Sequence, residues 1–179
     1  MATESFDLSF EGMQELQAYL DSLIAKITIA ADKTADELAD IGLKEMQNTY
    51  DANPYKPESG MSFNIYKQDN ERTVAMEGSQ ALYEEFGTGT IGERNPHPRK
   101  QESGLNPYNS GKTIRPATAK DNAISGIPVG ELFWTYKDEK GQKHYTQGVP
   151  AGKEAYNAGQ KVVQDAPNVL IKQIKEALK

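Results

Sequence analysis

The feature that most constrains this chain is an apolar repeat near its N-terminus. Between residues 11 and 50, apolar side chains recur at steps of three and four: Met13, Leu16, Leu20, Leu23, Ile24, Ile27, Leu38, Ile41 and Met46. Such steps place side chains on one face of an α-helix. The residue before a proline avoids helical backbone angles, so Asn53-Pro54 ends the element. The spacing predicts a helix over residues 10–50.

One feature inside this repeat leaves two interpretations open. Thr34-Ala35-Asp36-Glu37 has the order of a capping box, in which a helix starts at the threonine. The helix therefore either restarts near Lys33 or runs continuously through it.

Two further regions have the pattern of β-hairpins. In residues 61–77, two runs rich in β-branched and aromatic residues flank Asp69, Asn70 and Glu71. In residues 131–148, the runs "ELFWTYKD" and "KHYTQGV" flank a turn around Gly141. Residues 152–179 are predicted to be helical, with an interruption at Pro167 and a new cap at Asp165.

These elements predict a single α+β domain over residues 1–179. We expect an antiparallel sheet built from the two hairpins, packed by the long N-terminal helix and the C-terminal helix. Residues 88–130 are rich in glycine, proline, asparagine and charge, with almost no apolar periodicity. A loop of this length is usually functional or disordered, so we expect a flexible loop insertion there.

Composition narrows the class of protein. The 179 residues include no cysteine, which excludes disulfides and thiolate chemistry, and the N-terminus is not typical of a signal peptide. The chain has no apolar run long enough for a membrane helix. Its net charge of −6 disfavours a dedicated nucleic-acid binder. The charge is uneven, however, because residues 1–60 carry −8 and residues 93–120 carry +4.

Two glycine-containing segments are similar to phosphate-binding loops but lack their context. Residues 87–92 follow a predicted helical turn at 79–86 rather than a strand, and the prolines after them prevent a helix. Gly87 is instead placed to end that turn. Residues 110–113, Ser-Gly-Lys-Thr, have Asn106 where a P-loop has its first glycine. Neither segment predicts a nucleotide cofactor.

Titratable residues give no catalytic pattern. Glu84 and Glu85 are adjacent and would point about 100° apart on a helix, so a solvated face is the expectation for both. His97 falls in a loop between prolines and His144 in a strand, and a polar surface role is expected for each. We therefore predict no enzyme, no cofactor and no metal site. A hydrolase stays as an alternative, provided that Glu85, His97 and His144 lie within hydrogen-bond reach.

Basic residues in the predicted loop are candidates for contacts with DNA or with a neighbouring subunit. They are Arg94, Arg99, Lys100, Lys112, Arg115 and Lys120. Repeated around a ring, they could meet a phosphate backbone or the acidic face of residues 1–60. A small nucleic-acid-binding module that uses residues 93–120 is the alternative function.

The order of the motifs resembles a known family. "LYEEFGTGTIG" is followed by "NPHP" and by the hairpin "FWTYKDEKGQKHYTQGVPA". This pattern is similar to the gene-product-ten-like tail components of long-tailed, HK-type bacteriophages and prophages, and the likeness spans essentially the whole chain. The matching residues are Tyr83, Glu85, Phe86, Gly87, Thr88 and Gly89, then Pro96, His97 and Pro98, then Trp134, Tyr136, Thr146, Gly148 and Pro150. Ala151-Gly152-Lys153-Glu154 departs from the family, which has an aromatic residue there, and Met61-Ser62-Phe63 departs at the first strand.

The resemblance implies a structural virion protein that joins or completes the tail at the head–tail interface. It implies a ring of identical subunits, a hexamer by analogy, assembled in the cytoplasm of a bacterial host. Neck and tail-tube proteins would be its partners, with transient contact to DNA in the channel and none to a membrane. Leu82, Tyr83 and Phe86 would anchor a turn on the sheet. Gly87 and Gly89 would act as hinges for the 88–130 arm.

Overall fold

The computed structural model describes residues 9–56, 60–78, 80–99, 115–137 and 140–179. Within these ranges the helices are α1 (Phe10–Ala52), α2 (Ala81–Phe86), α3 (Gly89–Arg94), α4 (Ala119–Ser125) and α5 (Glu154–Ala177). The strands are β1 (Ser62–Gln68), β2 (Glu71–Glu77), β3 (Arg115–Pro116), β4 (Leu132–Lys137) and β5 (Lys143–Thr146). The predicted α+β class, the long first helix, both hairpins and the C-terminal helix are confirmed.

The strands form two sheets instead of the one that was predicted. One sheet has the order β1-β2 and the other β3-β4-β5. In the second sheet, β4 pairs with β5 on one side and with β3 on the other, where Arg115 lies opposite Phe133. Beyond β5, Thr88 and Val149 exchange backbone hydrogen bonds of 2.8 and 3.2 Å. The edges of the second hairpin are therefore engaged by residues that come from the predicted loop.

The described residues group into two compact units. Unit 1 contains the described parts of residues 1–42, 65–74 and 159–179, and unit 2 contains those of residues 43–64 and 75–158. Both α1 and α5 contribute to each unit, so the chain enters each unit more than once. The single domain over residues 1–179 stays a prediction.

In unit 1, polar side chains of α1 bond to β2 and to α5. The Arg72 guanidinium lies 2.6 Å from Asp36 Oδ1 and 3.2 Å from Asp32 Oδ1. On the α5 side, Glu37 accepts hydrogen bonds from Lys172 and Gln173. Asp36 also accepts a hydrogen bond from Lys67. The hydrogen bonds from Lys67 and then from Arg72 lower the pKa of Asp36.

Unit 2 is organised around Phe133, whose side chain is fully buried. Its ring packs with Ala117, Ile127 and Tyr145, and the Arg115 guanidinium lies 4.6 Å from its centroid. The alternation of β4 explains this position, because Phe133 points into the core while Leu132 beside it is 43% exposed.

Two predictions about helix ends are resolved. α1 runs without interruption through Lys33, and Thr34 Oγ1 bonds back to the Ala30 carbonyl instead of capping a new helix. α5 also continues through Pro167, so the predicted interruption there is wrong. An internal proline removes one backbone hydrogen bond, and its ring crowds the carbonyl four residues earlier, so the remaining turns and the packing of α5 must offset that cost.

The structureless loop predicted over 88–130 is wrong for the residues that are described. α3, β3 and α4 all lie within it. α4 begins with a complete capping box, since Thr118 Oγ1 accepts from the Asp121 N–H while the Asp121 carboxylate accepts from the Thr118 N–H. Arg115 then forms two 2.7 Å hydrogen bonds to Asp121 and holds the pKa of that carboxyl well below its usual range. Residues 100–114 lie outside the described ranges.

Candidate functional site

The motif segment 82–98 forms a buried polar cluster in unit 2. Both carboxylates of α2 are buried: Glu84 is 4% exposed and Glu85 is 7% exposed. His97 is 4% exposed and Glu154 is fully buried. The predictions of a solvated face for Glu84 and Glu85, and of a surface position for His97, are therefore wrong. α2 is only six residues long, and other parts of the chain enclose it on more than one side.

Glu85 fixes the start of α5. Its Oε2 accepts the Ala155 N–H at 2.7 Å, and its Oε1 accepts the Tyr156 N–H at 3.0 Å. The first turn of a helix leaves such N–H groups without partners inside the helix, and a carboxylate there also complements the helix dipole. Glu85 thus acts as an N-terminal cap supplied from 70 residues away in the chain.

The third partner of Glu85 is His97, and the geometry fixes its tautomer. The Arg99 N–H points at His97 Nδ1, 3.0 Å away, and a backbone N–H can only donate. Nδ1 is therefore the acceptor, and Nε2 carries the proton and donates it to Glu85 Oε1 at 2.8 Å. The ring is packed edge-on between Phe86 and Tyr156, at centroid distances of 4.5 and 5.3 Å.

Glu84 points the other way, as the 100° helical step requires. Asn53 Nδ2 lies 3.1 Å from Glu84 Oε2 and 3.4 Å from Glu154 Oε1, so one amide serves two carboxyl groups. Burial and then the neighbouring Glu154 raise the pKa of Glu84 to about 7. Burial, together with Glu85, also raises the pKa of Glu154. Within the described residues Glu154 Oε2 has no hydrogen-bond partner.

The segment Ala151-Gly152-Lys153-Glu154 is shaped by the buried carboxyl group of Glu154. A Cβ atom at Gly152 would overlap the Glu154 carboxyl group. The glycine therefore leaves the space that the buried carboxyl occupies, and its N–H donates to the Glu84 carbonyl at 2.7 Å.

The glycines of the motif make close backbone contacts. Gly87 has a φ of 71° and ends α2, with its N–H bonded to the Tyr83 carbonyl, as predicted. Gly89 has a φ of 62°, and a Cβ there would overlap the Trp134 ring and the Gln147 carbonyl. In the structure both glycines permit close approach. Their role as hinges stays a prediction.

The other predicted anchors are placed differently. Leu82 is 54% exposed and Tyr83 is 44% exposed, so neither anchors α2 on the sheet. Phe86 does pack, but against His97. On a helix of six residues, one face packs and Leu82 and Tyr83 lie on the other.

Two of the six predicted basic contact residues are paired with carboxylates within the chain. Arg94 lies 3.0 Å from Glu131, and Arg115 is held by Asp121 and by the Phe133 ring. The backbone of Arg99 bonds to His97, and Lys120 is exposed on α4. Lys100 and Lys112, like Ser110–Thr113, lie outside the described residues. The nucleic-acid-binding alternative stays a prediction, with two of its guanidinium groups already paired to carboxylates.

The cluster has the residue types of an acid–base site, but Glu85 and His97 are fully hydrogen-bonded within the fold. Glu85 and His97 are within hydrogen-bond reach, as the hydrolase alternative required, whereas His144 lies in β5 opposite Tyr136. Both nitrogens of His97 and both oxygens of Glu85 already have partners. In the described parts of the chain, no group of three or more His, Asp and Glu side chains could hold a metal ion. The arrangement joins α2 to α5.

A second candidate site is the exposed apolar surface of unit 1. Here we define the α1 face as Met13, Leu16, Leu20, Leu23, Ile24 and Ile27, which lie within an arc of about 100°. Met13 is 52% exposed, Ile24 62% and Ile27 52%. The α5 face consists of Val163, Leu170, Ile171 and Leu178, which are 43% to 72% exposed. Exposed apolar faces of this extent typically mark interaction surfaces.

Comparison with known proteins adds no family to this description. No protein-family model, curated protein or solved structure matches the chain. In the described residues, moreover, none of the helices has an apolar stretch that could span a membrane. The function must therefore be argued from the two sites.

The carboxyl pair predicts a pH-dependent stability. The pKa of Glu84 is about 7 in the folded chain and returns to its ordinary value of 4.5 in the unfolded chain. Between these two pH values the folded state therefore binds more protons than the unfolded state. The free energy of unfolding should then fall as pH rises through this window. Glu84→Gln cannot ionise and keeps an acceptor for Asn53, so its unfolding free energy should fall less.

Urea unfolding of both proteins between roughly pH 5 and 8 measures the difference. Glu93→Gln, on the exposed side of α3, is the matched control and should follow the wild type at every pH. A Glu84→Gln curve parallel to the wild type would show that Glu84 is ionised throughout.

Proposed function

We propose that this chain is a structural subunit that assembles with further copies of itself, as a ring at the head–tail interface of a long-tailed phage or prophage. The observation that supports assembly is the α1 face. A helix normally turns its apolar stripe toward a core. In the described residues, Met13, Leu20, Ile24 and Ile27 of this stripe are exposed to solvent instead, and Leu16 and Leu23 are half-buried. A second chain that docks on this face would bury it.

The length of α1 explains why this face is free. Glu37 of α1 contacts Lys172 and Gln173 near the C-terminal end of α5. Arg72 of β2 contacts α1 at Asp32. The part of α1 before Ile27 continues for about 25 Å beyond these contacts, at 1.5 Å per residue. This overhang suits an arm that reaches a neighbour.

The sequence motif at residues 83–89 supports the proposal of a tail-completion protein. Two residues of the family pattern also belong to the buried polar cluster. Tyr83, Glu85, Phe86, Gly87, Thr88 and Gly89 match the family pattern, and Glu85 and His97 of this pattern hold the start of α5. Neck and tail-tube proteins are the proposed partners, and the virion is the proposed location.

The test combines native mass spectrometry with imaging of virus particles. The purified chain should form a closed oligomer, and particles made without it should accumulate as separate full heads and tails, or with malformed tails. Supplying the wild type or Ala18→Glu should restore normal particles, since Ala18 lies on the opposite side of α1 from the apolar face. Leu20→Glu should not restore them. Normal particles in the absence of the chain would contradict the proposal.

A further inference from the structure

The described part of unit 1 has two exposed apolar helix faces, one on the overhanging part of α1 and one on α5. The α1 face extends from Met13 to Ile27 and the α5 face from Val163 to Leu178. At 1.5 Å per residue these faces are about 21 Å and about 22 Å long. Each covers an arc of about 100°, which is the width of a helix-packing surface. The two faces match in length and in width.

Their charges are opposite. Residues 10–29 contain three acidic side chains and one basic side chain, a net charge of −2. Residues 159–179 contain four lysines and two acidic side chains, a net charge of +2. By helical position, exposed Asp21 borders the α1 face and exposed Lys175 borders the α5 face. The other acidic side chains of the α1 segment and the other charged side chains of the α5 segment lie farther from the faces, and Lys161 and Lys172 are paired with Asp165 and Glu37. Opposite charges at the rim favour one pairing of faces over others.

We propose that the α1 face of one copy docks on the α5 face of the next copy, head to tail. This inference rests on the proposed assembly and names the surface that the α1 face meets. The alternative, α1 against α1, would bring together two segments of the same net charge and would leave the α5 face in water. Head-to-tail docking covers both faces with one kind of contact, and because each copy carries both, the contact repeats until the assembly closes.

Two charge-insertion variants test the direction of the contact. Leu20→Glu places a carboxylate in the α1 face and Val163→Glu places one in the α5 face; both positions are exposed, at 48% and 72%, so folding should be preserved. Each variant alone should be monomeric by native mass spectrometry. Their equimolar mixture should form a heterodimer and nothing larger, because each partner retains the one face that the other has lost. Ala18→Glu should assemble like the wild type.

Cysteine pairing supplies a second measurement, because the chain has no cysteine of its own. Under a mild oxidant, mixed Leu20→Cys and Ile171→Cys subunits should form a disulfide about ten times faster than mixed Ala18→Cys and Ile171→Cys subunits. Dimers of Val163→Glu alone, or faster pairing of Leu20→Cys with itself, would show α1-to-α1 contact and overturn the inference. An intact oligomer in both charge variants would overturn it while sparing the proposed assembly. A wild-type monomer would overturn both.

Discussion

Replacing Glu85 with alanine is expected to lower the free energy of unfolding by about 3 to 5 kcal/mol. Three donors lose their acceptor: the N–H groups of Ala155 and Tyr156 and the Nε2 proton of His97. A buried donor without an acceptor costs its desolvation energy, and α5 loses its cap at the same time. Urea unfolding followed by far-ultraviolet circular dichroism measures the loss.

Two further variants separate the cap from a general effect of removing a carboxylate. Glu93→Ala, an exposed position on α3, should change the unfolding free energy by no more than about 0.5 kcal/mol. Glu85→Gln keeps one oxygen acceptor and should fall between the two. If Glu85→Ala were as stable as Glu93→Ala, the cap would not contribute to folding.

The second large effect is expected at Phe133. Truncation to alanine removes a fully buried ring and leaves a cavity beside Ala117, Ile127 and Tyr145. The expected loss is about 3 to 5 kcal/mol, because the cavity adds to the lost transfer free energy. Arg115 also loses the ring on which its guanidinium lies.

The adjacent residue offers the control for this variant. Leu132 is on the same strand but on its other face, and it is 43% exposed. Leu132→Ala should therefore cost about 1 kcal/mol, which is the value for partial loss of apolar burial. Equal losses for the two variants in thermal or urea unfolding would contradict the assignment of Phe133 as the centre of this core.

The elements that could be predicted from sequence are those whose signals are local. The three- and four-residue steps of α1 and the Asp69-Asn70 turn between β1 and β2 both lie within short windows. The separation into two sheets could not be predicted in this way. It depends on β3 and on the Thr88–Val149 contact, which joins residues 61 apart in the chain.

The buried cluster was missed for the same reason. Glu85 is buried because of Ala155 and Tyr156, and Glu84 because of Asn53, and all of these lie more than 30 residues away. Helical geometry correctly predicts that the two carboxylates point about 100° apart. It does not predict whether other parts of the chain cover both of them. A six-residue helix is too short for periodicity to decide this.

One missed element did have a readable signal. Thr118-Ala119-Lys120-Asp121 has the spacing of a capping box, and Gly126 follows at the distance expected of a helix end. The surrounding glycines and prolines obscured it. Exposure of the α1 face, by contrast, has no local signature, because the same stripe would serve equally well against a core.

The overhang of α1 has a thermodynamic consequence. Residues 30–52 already form a helix, so the segment before them needs no new nucleation. This segment can therefore unfold or refold one residue at a time from its N-terminal end. Ser9 Oγ accepts the Gly12 N–H and closes the first turn, which is a modest restraint on fraying. In a lone copy, warming should shorten the helix from its N-terminus. A docked neighbour removes that freedom, so the entropy lost by the arm sets part of the temperature dependence of assembly.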